Sequence, residues 1–410
     1  MTKKVFIGLA DIASFIDDWG EGFKQNNIET LKGSISLQSP VQNSELDFVI
    51  QKVQDRIGYF KPGRISIRFK PWWNKMVQNY FLKKAVKECD IFIFIWQSFK
   101  NDYSDYKYLK EKNKKIITLF VGDDTRWFEA AKQELSLINL SPIEYKDYDY
   151  STIALNEKLR HLRIAEKYSD IILSQPNNSQ LFLRPYRNIN LPIIAENYSE
   201  NKQQRAIPLL VHAPTSIGKG THYIEPIIKQ LKEKGLSFEY QRIQNLPREK
   251  ALEIYRNADI IIDQLLTPGG GKLAHEGLAL GKVVLTLMAY DSYDQKKSKD
   301  CPLVDVNADT LYNVLNDLIP DQLKRTHIAA KGRPYIEKYH NPKTIVNDLL
   351  EHLNSDILIE SDFYPDFYRN RFIPESEEAT RVYNKWNEYV SDCDWYGKYI
   401  EPGERSGLKF

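Results

Sequence analysis

The sequence predicts an α/β protein made of two doubly wound domains and a C-terminal helical arm. Three observations carry that expectation. Strand-length apolar runs alternate with amphipathic helical stretches in each half of the chain. An interval rich in Pro, Asn and charge, from about 185 to 206, separates the halves. Beyond about 346 the alternation stops, and an aromatic, acidic texture takes over. The 410 residues are also too many for one ordinary core. The expected units are 1–190, 203–345 and 346–410.

In the first half, "KKVFIGLADIASFIDDWGEGFKQNNIET" reads as a strand at 4–8, a small-residue turn, and a helix ending near Asn26 and Asn27. "GSISL" (33–37) is the second expected strand. "FKPWWNKMVQNYFLKKAVKECD" repeats its apolar residues at helical spacing. "DIFIFIW" and "KKIITLFVGDD" are near-continuous apolar runs, as suits parallel strands buried on both faces. "LRIAEKYSDIILSQ" gives another helix and strand. The second half runs "PLLVHAP" (strand), "THYIEPIIKQLKEKG" (helix, stopped by Gly235), "SFEYQRI" (strand) and "LPREKALEIYRNA" (helix, Pro247 in its first turn). It continues with "DIIIDQLL" (strand), "TPGGG" (turn), "KLAHEGLAL" (helix, closed by Gly281) and "KVVLTL" (strand).

Composition narrows the function. Hydrophobic content of 42% and charged content of 27% fit a globular protein. A net charge of +2 argues against binding nucleic acid through bulk electrostatics. No apolar run approaches the roughly 20 residues that span a bilayer. An Asp interrupts the first apolar run early, so no secretory signal is expected and the chain reads as cytoplasmic. Cys89, Cys301 and Cys393 show neither disulfide-framework nor zinc spacing, and the seven histidines form no metal motif. "DYD" (147–149) and "DCD" (392–394) fit a D-x-D metal motif, but 55 acidic residues produce such triplets by chance. No metal and no cofactor are therefore expected.

Two glycine-bearing turns carry the chemistry. "VHAPTSIGKGTHYIEPII" (211–228) ends a strand in a small-residue loop with a Lys and then opens a helix. It fails as a Walker A loop, because Ala213 stands at the first Gly and Gly220 follows Lys219. What remains is a cation beside a helix N-terminus, where N–H donors converge on an anion. A surface turn with a solvated Lys is the plainer alternative. In "DQLLTPGGGKLAHEGLALGKVVL", Gly269, Gly270 and Gly271 let backbone approach an oxyanion closely. Glu276 follows early in the next helix. A carboxylate there can accept the hydroxyls of a ribose; as a plain surface acid it would do nothing of the kind.

Together these turns resemble the donor-binding domain of GT-B-fold glycosyltransferases, particularly glycosyltransferase family 4. The match runs from about 208 to 341 and rests on Lys219–Gly220, "LPREKALEIYRNADIIIDQ", "GGGKLAHEGLALGKVVL" and "GRPYIEKYHNPKTIVNDLL". The resemblance implies two Rossmann-like domains facing a cleft and a nucleotide-sugar donor. It implies that Lys219 neutralises the diphosphate at the start of a helix opened by Gly218 and Gly220, and that Glu276 binds the ribose. Arg242, Ile243 and Gln244 would lie near the base, and Gly269–Gly271 would face the sugar or phosphates. Two departures stand out. "HAPTSIG" lacks the Arg that often precedes the Lys–Gly pair, and Pro268 replaces the acid eight residues before the ribose-binding Glu. His212, Thr215, Ser216 and Lys272 are the residues at hand to compensate.

The implied reaction transfers a sugar to a glycan or lipid-linked acceptor, as in surface polysaccharide biosynthesis. Inversion would need a base, for which Asp11, Asp123 and Asp124 sit at strand ends; retention, towards which the family leans, would not. Each of these acids would serve equally as a turn or helix cap. A non-catalytic scaffold and a sugar-nucleotide epimerase of the same fold are the alternatives. Trp72, Trp73, Trp96 and Trp127 all fall in the first half, where sugar rings could stack on them or they could simply be core. His275 reads as a helix-surface residue. The basic, aromatic stretch 58–75 leaves open a peripheral contact with the inner face of a membrane.

Overall fold

A computed structural model describes residues 4–36, 44–55, 64–137, 151–188, 190–289, 300–354 and 362–396, apart from 364, 366 and 394. "DYD" (147–149) and Asp394 lie outside the described residues. The strands are β1 (Val5–Leu9), β2 (Thr30–Ser34), β3 (Phe48–Val49), β4 (Ile91–Ile95), β5 (Lys115–Leu119), β6 (Ile171–Ser174) and β7 (Tyr186–Asn188) in the first half. β8 (Leu209–His212), β9 (Glu239–Arg242), β10 (Ile260–Ile262), β11 (Val283–Thr286) and β12 (Val304–Asp305) form the second half, and β13 (Asp362–Phe363) lies in the arm.

They assemble two sheets, ordered β13-β7-β6-β5-β4-β1-β2-β3 and β12-β11-β10-β8-β9. Every pairing is parallel except β13 with β7. The central strands are buried end to end: all five residues of β1 and of β4, and all of β10 and β11. That is why they read as unbroken apolar runs. Strand order reverses between β1 and β4 in the first sheet and between β8 and β10 in the second. Such reversals open a crevice at the carboxyl ends of the strands.

The halves are less separate than the sequence suggests. The expected linker contains β7, which pairs with β6. Ile193, Ala195 and Tyr198 are buried in the second domain's core, and Arg205 is held by Asp259 with Nε 2.9 Å from the carboxylate. The chain crosses back near His340. The helix Gly332–Tyr339 puts Tyr335 and Ile336 into the second domain, whereas the helix Pro342–Leu353 puts Val346, Leu349 and Leu353 against Phe15, Trp19 and Phe23 of the first. At Gly22 an added Cβ would lie 2.6 Å from Pro342 O, so that packing needs the missing side chain. The two crossings are bonded to each other: Ile193 N–H donates to His340 O at 2.8 Å, and His340 Nδ1 lies 2.8 Å from Leu191 O. The arm returns to the first domain, where Phe367, Tyr368, Phe372 and Trp386 join its core.

Candidate functional site

Between the sheets lies a cleft with two compartments. The larger, about 1190 Å³, belongs mainly to the second domain. Its wall is the loop after β8 (Thr215, Ser216, Ile217, Lys219), the end of β9 (Arg242, Ile243, Gln244) and the helices Arg248–Asn257 and Lys272–Ala279. On its floor Glu276 is 3% exposed. Arg248 Nη2 donates to Glu276 Oε1 at 2.6 Å, and the Tyr198 hydroxyl donates to the same oxygen at 3.1 Å. Both donors share Oε1, so neither occupies Oε2. Burial and the adjacent carboxylate push the Tyr198 phenol well above its ordinary range, which keeps it a hydrogen-bond donor.

Lys219 sits where the crevice argument places it, in the turn before the helix Thr221–Glu233. Its Nζ donates to Asp263 Oδ1 at 2.5 Å and Gln264 Oε1 at 3.1 Å, both just past β10. Asp263 is fully buried, and its Oδ2 has no hydrogen-bond partner among the described residues. Gln264 Nε2 in turn donates to Thr267 O and Gly269 O, which fixes the glycine turn.

The smaller compartment, about 290 Å³, is lined from both domains. The first contributes Ala13 and Phe15 after β1, Trp96 after β4, Val121–Asp123 after β5, and Asn177 and Asn178 after β6. The second contributes Ser216, Gly218, Gln264 and Thr267–Lys272. Polar contacts bridge the two domains here. Asn177 Nδ2 donates to Pro268 O, and Lys272 pairs with Asp18 of the helix Phe15–Gln25. Burial lifts the Asp18 carboxyl to about 6, against the pull of Lys272.

No family model matches the chain, and no curated protein matches its sequence. Solved structures do match it in shape. Sucrose-phosphate synthase from Thermosynechococcus elongatus aligns at a TM-score of 0.56 over 86% of this chain and 98% of its own, with 11% identity. TarM gives 0.56 over 87% and 99%, with 8% identity. The catalytic domain of starch synthase IV from Arabidopsis thaliana, bound to ADP and acarbose, gives 0.52 over 86% and 100%, with 10% identity. The chain has the GT-B fold.

Within this GT-B cleft the expected residues separate into groups. Thr215, Ser216, Lys219, Arg242, Ile243, Gln244, Lys272 and Glu276 line the larger compartment together. Gly218 and Gly269–Gly271 line the smaller one, while Gly220 lies at the helix start, lining neither compartment. His212 does not face the cleft. It is fully buried at the end of β8, with Nδ1 2.9 Å from Ile262 O and Nε2 2.9 Å from the Thr221 hydroxyl, so it ties β8 to β10 and to the next helix. Burial also depresses its basicity.

Of the three expected acids, only Asp123 lines the cleft, where it pairs with Arg126 at 2.7 Å. Asp11 is buried and accepts from the Ser44 hydroxyl at 2.9 Å. Asp124 caps its own turn by accepting from Val121 and Gly122 N–H, and burial lifts its carboxyl to about 6. His275 is buried rather than on the surface, with Nδ1 2.8 Å from Gly271 O and its ring tilted at 47° against that of His340. Trp127 is core, Trp96 lines the smaller compartment, and Trp72 is exposed. In "DCD", Asp392 pairs with Lys167. Among the described residues, no group of three or more His, Cys, Asp or Glu is placed to hold a metal ion.

Sequence reasoning missed Arg248, Tyr198, Asp263 and Asp18. For Asp263 a signal existed, an acid immediately after an all-apolar strand. Arg248 and Tyr198 lie 28 and 78 positions from Glu276, beyond any local pattern.

Proposed function

We propose that the chain is a glycosyltransferase, similar to family 4, that moves a sugar from a nucleotide-sugar donor to a glycan or lipid-linked acceptor. The observation that carries this reading is Glu276. A nearly solvent-free carboxylate, held on one oxygen by Arg248 and Tyr198, lines a compartment that a lysine beside a helix start also lines. In this reading Glu276 Oε2 accepts the ribose hydroxyls, and the end of β9 borders the base.

The diphosphate lies against Lys219 and the first N–H groups of the helix Thr221–Glu233, whose partial positive charge favours it. Breaking the C1–O bond leaves a nucleoside diphosphate, and the same groups stabilise that leaving charge without a metal. The transferred sugar enters the smaller compartment, where the Gly269–Gly271 turn and Asn177 stand in for the acid that Pro268 replaces. If configuration is inverted, Asp123 is the base nearest the acceptor side; if it is retained, none is required. Similar folds support the donor class: HepE from Anabaena is known in complex with UDP-glucose, and TarM from S. aureus with UDP and α-GlcNAc-glycerol. Synthesis of a surface polysaccharide on the cytoplasmic side fits this chemistry.

The test is turnover of a sugar-nucleotide panel with and without oligosaccharide acceptors. The expected result is nucleoside diphosphate release that requires an acceptor and is lost in Lys219→Ala. An isomeric sugar nucleotide formed without acceptor would assign an epimerase. Nucleotide binding with no turnover of any donor would assign a scaffold, the alternative that Pro268 in place of the acid keeps open.

A further inference from the structure

The helix Arg64–Glu88 is 25 residues long and contributes no lining residue to either cleft compartment. One face buries Val77, Phe81, Leu82 and Ala85 in the first domain's core. Helical periodicity puts Phe69, Trp72, Met76 and Tyr80 on the opposite face, and they are 57%, 59%, 44% and 64% exposed. Single exposed apolar residues need no explanation, but four large ones in a continuous stripe do. The stripe continues into Lys83 and Lys87, which are also exposed. From 69 to 88 the helix carries five lysines (70, 75, 83, 84 and 87) and one acid, Glu88, in a chain whose overall charge is only +2.

We propose that this face is a docking surface for an anionic lipid bilayer. Trp72 and Tyr80 are amphipathic rings of the kind that settle at the boundary between headgroups and acyl chains. Phe69 and Met76 supply apolar area between them, and the lysines reach lipid phosphates while their stems lie along the surface. The charge distribution selects lipid over a second copy of the chain. Self-association through this face would set lysine against lysine, and lysine is depleted from protein–protein interfaces. The sequence points to 58–75 for such a contact; 58–63 lie outside the described residues, and the proposed face spans 69–87. This inference does not depend on the donor site.

The experiment is flotation of the full chain with vesicles of phosphatidylcholine alone, or of phosphatidylcholine with phosphatidylglycerol, at low and high salt. Binding is expected only to the anionic vesicles and should weaken as salt rises. Trp72→Ala with Tyr80→Ala should reduce partitioning about tenfold or more, and Lys83→Glu with Lys87→Glu should do the same. Because all four side chains are exposed, unfolding temperatures should not change, which separates lost docking from lost folding. Absence of binding to anionic vesicles would overturn the proposal, as would binding indifferent to both pairs of substitutions. So would a lipid-free dimer in sedimentation that Trp72→Ala with Tyr80→Ala dissociates.

Discussion

At Glu276 a guanidinium and a phenol meet on one carboxylate oxygen, almost out of solvent. A buried carboxylate that loses its cation is left with an uncompensated charge. Arg248→Ala is therefore expected to destabilise the second domain by about 1–3 kcal/mol, less than for a fully buried pair because Arg248 is partly exposed. Urea unfolding measures this, and a variant as stable as wild type would refute it. Glu276 and Lys219 were legible as residue types close to the two glycine-bearing turns. Their partners were not, because the segments carrying Tyr198 and Arg248 meet Glu276 only once the second domain has folded. His212 shows the opposite failure. Its place at a strand end beside the loop suggests a ligand, yet parallel pairing with Ile262 turns it inward as a cross-strand tie.

The elements that sequence reasoning places well are those whose burial is uniform along their length. β4, β10 and β11 are covered on both faces, so nearly every residue is apolar. β2 has one large apolar side chain, Leu31, among Thr30, Lys32, Gly33 and Ser34, and the sequence puts it at 33–37 instead of Thr30–Ser34. β7 spans three residues in a Pro-rich interval, and one of its pairing partners, β13, is supplied by a distant part of the chain. The glycine turn after β10 is an element whose geometry is demanding. Gly269 has φ +104°, and a Cβ there would lie 2.9 Å from Asn177 Nδ2. Gly269→Ala is expected to cost about 1–3 kcal/mol and to disturb the Asn177–Pro268 bridge. Thermal unfolding that is unchanged in this variant would count against the turn's role.

For the whole molecule, two chain crossings and the cleft contacts of Asn177 and Lys272 join the domains, and the helix Pro342–Leu353 closes the first domain's core from late in the sequence. Leu349→Ala should therefore destabilise the first domain by about 2–5 kcal/mol, although 349 follows the second domain in sequence. The burial of Asp18 gives a pH dependence. Asp18 gives up its proton near 6 in the folded chain, against 3.8 for an ordinary aspartate. Between those values the folded state holds a proton that the unfolded chain has released, so this residue makes stability fall as pH rises. Asp18→Asn should remove that component, seen as a wild-type-minus-variant difference that changes between about pH 4 and 6. A difference flat across that window would contradict it.

The central claim is that the larger compartment is a nucleotide site. Thermal unfolding with a panel of nucleoside diphosphates, on wild type, Lys219→Ala and Glu276→Gln, tests it most directly. A ligand at a hundredfold over its dissociation constant stabilises a fold by about 2.7 kcal/mol. The expected result is that one base raises the unfolding temperature of wild type, with the shift lost in both variants while each remains folded. No shift in wild type with any base at millimolar concentration, or an equal shift in all three proteins, would contradict the account.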